Sequence, residues 1–198
     1  MLNTDNKQKA AIMFTDIANF THFMSVNEKQ SLDFLEQKKM KLNNLVKIYK
    51  GKYVKNIGDG TLTYFNNANN ALACALQLHY TLDSAKKMHI RVGIHYGDII
   101  SMDNDIYGDD VNIASRLENL SPAGGICISS IFFKQLSNKR KIKTDYIGLQ
   151  SFKGVGRLID VYTINDKRLK RPNINNYSNE NITIDYEKKP SVVLIPFN

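Results

Sequence analysis

The chain has 198 residues, 42% of them hydrophobic and 23% charged, with 27 Lys and Arg against 19 Asp and Glu for a formal net charge of +8. That balance fits one soluble globular domain large enough to bury a real core. No apolar run approaches the ~18 residues of a membrane span. Nothing resembles a signal peptide, and the two cysteines form no CxxC or Cys/His cluster, which argues against zinc.

In chain order, the polar residues 1–8 predict a flexible, frayed N-terminus, and the apolar run Ala10 to Phe14 predicts a buried strand. A short helix to Met24 follows. A longer one spans Asn27 or Glu28 to Tyr49, with Leu32, Leu35, Leu42, Leu45, Val46 and Tyr49 as its core face. Val54 to Phe65, VKNIGDGTLTYF, reads as two strands around Gly58-Asp59-Gly60, a strong hairpin signal. Asn66 to Asn70 open a third helix reaching about Ser84, with Ala68, Ala71, Leu72, Ala75, Leu76 and Leu78 inward and His79 at the surface near its end. A strand from Ile90 to Ile94 extends toward Ile100, with Arg91 and His95 alternating with Val92 and Ile94, and His95 expected in core packing. Asp103-Asn104 reads as a turn, Asp109 to Leu120 as a helix stopped by Ser121-Pro122, and Ile126 to Ser129 as a strand. A short helix from Ile131 to Leu136 and two strands ending in Asp160 to Ile164 complete the domain. Cys74 and Cys127 fall in apolar elements and predict reduced, buried thiols.

The order strand–helix–strand–strand–helix–strand is the split βαβ pattern, an α+β, ferredoxin-like fold with an antiparallel-rich sheet and flanking helices. That core also hosts RNA-binding and electron-transfer modules, so it does not choose a function. The aromatic signature of an RNA-recognition sheet is not found. Lys139-Arg140-Lys141 and the basic run at 167–171 read as a solvated face and a linker rather than a nucleic-acid site.

Two carboxylates stand out. Asp16 follows the first strand where the chain enters a helix, beside free backbone N–H groups, which suits a divalent cation with phosphates as well as a plain helix cap. Asp59 sits on a rigid turn, read as exposed, and Lys55 is a lone ammonium in a mostly apolar strand. Together Asp16 and Asp59 suit the cation pair of phosphoryl chemistry.

Three blocks, FTDIANFT (14–21), VKNIGDGTLTYF (54–65) and DIYGDDVNIASRLENL (105–120), resemble the class III nucleotidyl cyclases, above all bacterial adenylate cyclases. The likeness covers about residues 8 to 165 and continues through GGICIS (124–129). It implies a catalytic domain over 9–166, with 167–198 as linker and tail. The ending KKPSVVLIPFN resembles the first strand of a TolB-like domain that follows some such cyclases.

The resemblance implies that Asp16, Asp59 and the carbonyl of Ile17 bind two ions, Mg²⁺ or Mn²⁺, and that the N–H groups of Ala18, Asn19 and Phe20 cradle a triphosphate. Asn19 stands where many relatives have Gly; Asn tolerates positive φ best after Gly. Lys55 and Asp105 would read the base. A donor lysine and an acceptor aspartate complement N1 and N6 of adenine, reject guanine, and leave cytosine to be excluded by pocket size. Asn112 would orient the ribose and Arg116 stabilise the transition state; from the residues alone, Arg116 and Glu118 read as an ordinary charged helix face. Lys153, with Lys143 as competitor, would hold the terminal phosphates. In the family the site is shared across a head-to-tail dimer, so the expectation is a cytoplasmic homodimer with two shared sites that makes cyclic AMP from ATP, with no nucleic-acid or membrane partner. A cyclase for CTP or GTP and a silent nucleotide-binding or dimerisation module are the alternatives.

Overall fold

The computed structural model describes residues 7–82 and 88–170. The opening apolar run is a strand covered on both faces. In β1 (Lys7–Ile17), Ala11 and Met13 join one core while Ala10 and Ile12 join another, which removes any polar alternation. After the short α1 (Phe20–Val26), the Asn27 side chain accepts from the Gln30 N–H and starts α2 (Glu28–Ile48). β2 (Gly51–Ile57) and β3 (Gly60–Phe65) form the expected hairpin, with Gly58 at φ 62 in its turn. Asn67 caps α3 (Ala68–Thr81) by accepting from the N–H groups of Asn69 and Asn70. β4 (Ile90–Met102), β5 (Asp105–Tyr107), α4 (Asp109–Leu120), β6 (Ile126–Ser129), α5 (Ser130–Gln135), β7 (Thr144–Gln150) and β8 (Ile159–Ile164) follow.

The sheet order is β2-β3-β1-β4-β6-β8-β7, with β5 paired to β4. Its first four strands are antiparallel throughout, as a split βαβ core requires, and β6 joins parallel to β4. On one face the main core gathers Phe34, Leu42 and Val46 of α2 with Ala71 and Leu78 of α3. On the other, Val111 and Ala114 of α4 pack on Ala10, Ile12 and Ile99.

β4 seats α4. Its odd positions face that helix: Arg91 meets Glu118, His95 meets Asp110, and two glycines lie between and beyond them. A Cβ at Gly93 would stand 2.0 Å from the backbone nitrogen of Glu118, and one at Gly97 would stand 2.1 Å from Asp110 Oδ2. The helix therefore rests on bare backbone, and its position is set to within a side chain's width.

Several elements differ from expectation. Lys7 and Gln8, read as frayed, pair with Ile100 and Ile99. β5 was not anticipated; it arises because Asp103 and Asn104, at φ 51 and 62, turn the chain tightly back onto β4. Leu32 is 42% exposed, and the buried stripe of α2 takes Phe34 and Lys38 instead. His79 is tucked inward with its Nε2 buried, and burial pushes its imidazole down to about 4. Glu118 is buried, not part of a solvated face. Cys74 and Cys127 are free and buried as expected. Leu169 is buried and the Lys170 N–H donates to the Gly124 carbonyl, so the chain still packs on the domain past residue 166. Ser84 and the ending KKPSVVLIPFN, expected as a strand, lie outside the described residues. No described helix is long and apolar enough to cross a membrane.

Candidate active site

β1 carries Asp16 as its next-to-last residue, beside the β2–β3 turn that carries Asp59, so two carboxylates 43 positions apart in sequence share one corner of the sheet. The Ile17 N–H donates to Asp59 Oδ2 at 3.1 Å, which aims the turn at the strand end. Burial and the facing Asp16 carboxylate push Asp59 up to about 6. Burial also works to raise Asp16, but its hydrogen bond with Asp59 and the Arg91 guanidinium prevail and hold it below the ordinary range. Two carboxylates at hydrogen-bond reach repel when both ionise, and a divalent cation between them removes that cost. Among the described residues no cluster of three His, Cys, Asp or Glu side chains forms a metal site. The donor set is therefore two carboxylates plus backbone, with positions left for water or phosphate, as Mg²⁺ and Mn²⁺ sites have. The residues fit such an ion.

Two cations brace this corner, and sequence reading missed both. Lys38, fully buried on α2, donates to the carbonyls of Thr15 (3.2 Å) and Asp59, tying strand end to turn. Burial pulls its ammonium down to about 8, against the attraction of Asp16, Asp59 and Glu118. The one available signal was a lysine within the apolar stripe of α2. Arg91 donates from Nη2 to Asp16 Oδ2, and its Nε stands 3.0 Å from Glu118 Oε1. The second contact is an attraction of charges without hydrogen-bond direction, since neither atom has a directed partner. Burial pushes Glu118 up to about 7, with Arg91 opposing.

Of the three N–H groups expected to cradle phosphate, one is already engaged. Ala18 is buried and gives its N–H to the His89 carbonyl at 2.8 Å, so it has no donor left for a ligand. Asn19 takes φ 58 and ψ 31, the left-handed conformation that an Asn in a glycine position was expected to accept.

Lys55 and Asp105, 50 residues apart, meet in a direct ion pair across β2 and β5. That bond with Lys55 holds the Asp105 carboxyl below its ordinary range. Asn112 and Arg116 stand on the exposed side of α4 and make no side-chain hydrogen bond or ion pair among the described residues. Lys153 is exposed in the β7–β8 loop. The same loop carries Arg157, which donates to Asp110 Oδ1 at 2.8 Å and ties the loop to the start of α4. Lys143 lies on the other side of the sheet, lining a cavity with Leu72 and Leu76 of α3. Asp110 also accepts from the Asp98 N–H and meets His95 Nε2, while His95 Nδ1 lies 2.7 Å from Ser129 Oγ. His95 is thus buried and structural, and its bond is the main cause that holds Asp110 down near about 2. Within the chain the structure brings together the carboxylate pair and, separately, the Lys55–Asp105 pair. No described hydrogen bond or ion pair joins Asn112, Arg116 or Lys153 to either.

A family model for the adenylate and guanylate cyclase catalytic domain matches residues 2–166. The chain belongs to that family. It is 31% identical to putative adenylate cyclase 3 of Rhizobium meliloti over 97% of this chain and 34% of the relative. It is 30% identical to an adenylate cyclase of Streptomyces coelicolor over 67% of this chain and 35% of the relative. The chain thus spans about a third of the length of these relatives. Among solved structures it resembles the adenylate/guanylate cyclase/hydrolase from Silicibacter pomeroyi, with a TM-score of 0.70 and 30% identity over 81% of this chain and 98% of that one. The adenylyl cyclase CyaB from P. aeruginosa shares the fold, with a TM-score of 0.71 and 24% identity over 81% and 95%.

Proposed function

We propose that the chain is an adenylate cyclase that converts ATP to 3′,5′-cyclic AMP and pyrophosphate at two sites shared by a homodimer. The observation that carries this reading is the division of the site. The carboxylate pair is complete and braced inside one protomer, whereas Asn112, Arg116 and Lys153 point to solvent. Exposed, unpaired groups of this kind suit a partner's substrate, and two-fold symmetry gives each dimer two equivalent sites.

In the reaction the ribose 3′-oxygen loses its proton and bonds to the α-phosphorus, while the bond from that phosphorus to the bridging oxygen of pyrophosphate breaks. Asp16, Asp59 and the Ile17 carbonyl would hold one or two Mg²⁺ or Mn²⁺ ions, which lower the hydroxyl pKa and neutralise phosphate charge. Asn19 and Phe20 offer N–H groups to the phosphates. Across the interface, Asn112 orients the ribose, Arg116 meets charge developing at the α-phosphate, and Lys153 meets the terminal phosphates. The direct Lys55–Asp105 contact supports adenine reading, since donor and acceptor stand side by side.

The test mixes two dead homodimers, Asp16→Ala and Arg116→Ala. Random pairing makes half the dimers heterodimers with one intact site, so activity should return to about a quarter of the unmodified level. No recovery, with subunit exchange confirmed, overturns the shared site. Assay of ATP, GTP, CTP and UTP with Mn²⁺, products separated by chromatography, decides the base; GTP or CTP turnover at or above that of ATP overturns adenine reading.

A further inference from the structure

Asn112, Arg116 and Lys153 come from two separate elements. Helical geometry fixes the first two against each other, at i and i+4 on α4. Lys153 lies in the loop between β7 and β8, the last two strands of the sheet order, and no regular element ties it to that helix.

The fold supplies the tie twice. Lys153 stands in a tight turn, closed by the Val155 N–H donating to the Phe152 carbonyl at 3.0 Å with Gly154 at φ 83. On either side of the tip, Phe152 and Val155 pack on the apolar cluster that includes Ile113 and Leu117 of α4. Apolar contact of this kind is non-directional and leaves the turn free to slide. Arg157, two residues on, gives it a fixed point by donating from Nη2 to Asp110 Oδ1 at 2.8 Å. An ion pair between two mobile surface side chains is worth little. Here one partner is already immobile. Asp110 accepts from the Asp98 N–H at 2.7 Å and meets His95 Nε2 at 3.1 Å, and Ser129 Oγ holds the other nitrogen of that ring at 2.7 Å. Only Arg157 has to be ordered to close the contact.

We propose that Arg157 is a positioning residue for terminal-phosphate binding: by latching the turn to Asp110 it carries Lys153 on the same body as Asn112 and Arg116. The span from ribose to terminal phosphates is then set within one protomer before substrate arrives. This rests on the reading that assigns Lys153 to those phosphates. Lys153 itself stays exposed, and the latch acts on the backbone that carries it.

The experiment is calorimetric titration of the full chain at saturating Mn²⁺ with two nucleotides that cannot cyclise. One is 3′-deoxy-ATP, which lacks the attacking hydroxyl; the other is 3′-deoxy-AMP, which also lacks the terminal phosphates. Lys153→Ala should weaken 3′-deoxy-ATP binding about tenfold, the worth of a hydrogen bond between charged groups. Arg157→Gln should weaken it about fivefold, because a lysine on an unlatched turn keeps part of that contact. The double variant should bind no more weakly than Lys153→Ala alone, since a latch without its lysine has nothing to place. All variants should bind 3′-deoxy-AMP as the unmodified chain does. Unchanged 3′-deoxy-ATP binding in Arg157→Gln, or weakened 3′-deoxy-AMP binding, overturns the latch. So do losses that add in the double variant, which would make Arg157 a phosphate contact in its own right. If Lys153→Ala alone changes nothing, the assignment of Lys153 fails first and the latch falls with it.

Discussion

The two halves of the candidate site are built in opposite ways. The carboxylate corner is half-buried and cross-braced, with Lys38 and Arg91 reaching it from α2 and β4. The half proposed for base reading and the transition state is exposed: Lys55 pairs with Asp105, which also accepts from the Ile106 N–H, and Asn112 and Arg116 make no side-chain hydrogen bond or ion pair among the described residues. A metal site needs its ligands pre-aimed before the ion arrives, and the fold supplies that at a cost in buried charge. Groups that meet a substrate across a subunit interface gain nothing from bracing within their own chain.

Breaking the braced half should damage fold and function together. Lys38→Met removes the ammonium that holds the Thr15 and Asp59 carbonyls and leaves buried carboxylates short of a cation. Loss of one partner from a buried charged set costs about 3–5 kcal/mol, and activity should vanish with it. Urea unfolding measures the first and a cyclase assay the second; a stable, active variant would show that the corner needs no brace.

Breaking the exposed half should separate the two effects. Arg116→Ala is expected to lower turnover by about a hundredfold to a thousandfold while moving stability by no more than about 0.5 kcal/mol. A matching loss of stability would mean that Arg116 holds α4 rather than a substrate. Asp105→Ala should act more narrowly still. It removes the acceptor for N6 and should bring ATP and GTP rates closer together with the melting temperature unchanged. An ATP preference that survives intact assigns base reading elsewhere.

The smallest expected effect is the braced half's share of the pH dependence. Folded, Asp59 and Glu118 titrate near about 6 and about 7, above their unfolded values. Through these two groups the folded chain binds more protons than the unfolded one between about pH 4 and 7, which lowers stability as pH rises through that window, while His79, held down at about 4, and the lowered His89 act in the opposite direction below about pH 6.5. The lowered Asp16 and Asp110 act below it and Lys38 acts above it. Urea midpoints at pH 5 and 7.5, taken without divalent ions for the unmodified chain and for Asp59→Asn, isolate the carboxyl share by difference, and Asp59→Asn should gain stability at pH 7.5 relative to pH 5. A pH dependence that Asp59→Asn leaves unchanged contradicts the placement of this carboxyl.

The division between exposed and braced also marks what could be read from the sequence. The hairpin, the helix Asp109–Leu120 and the strand Ile126–Ser129 were legible because each carries local signals of turn chemistry, periodicity and stop residues. The Lys55–Asp105 pair and both carboxylates lie in motifs that resemble a family. Lys38, Arg91 and the burial of Glu118 were not legible, because each lies outside those signals and takes its meaning from contacts 21 to 75 residues away. Leu32 fitted the helical period and yet is exposed, since the neighbouring face of α2 won the contact with the sheet. Ala18 was misassigned as a phosphate donor because a pattern of residue types does not reveal that His89 has already claimed its N–H.

The same separations carry a consequence for how the chain assembles. Lys38 lies 21 residues from Asp59, whereas Arg91 lies 75 residues from Asp16. Closing the shorter loop costs less chain entropy, and contacts of low sequence separation form sooner. The helix α2 and the hairpin after it therefore meet first, bringing a cation to the turn before β4 arrives to place Arg91. On that order the anionic corner would collapse with a counter-charge already beside it. Kinetics should show this as an ordering, with Lys38→Met slowing refolding and Arg91→Lys mainly hastening unfolding.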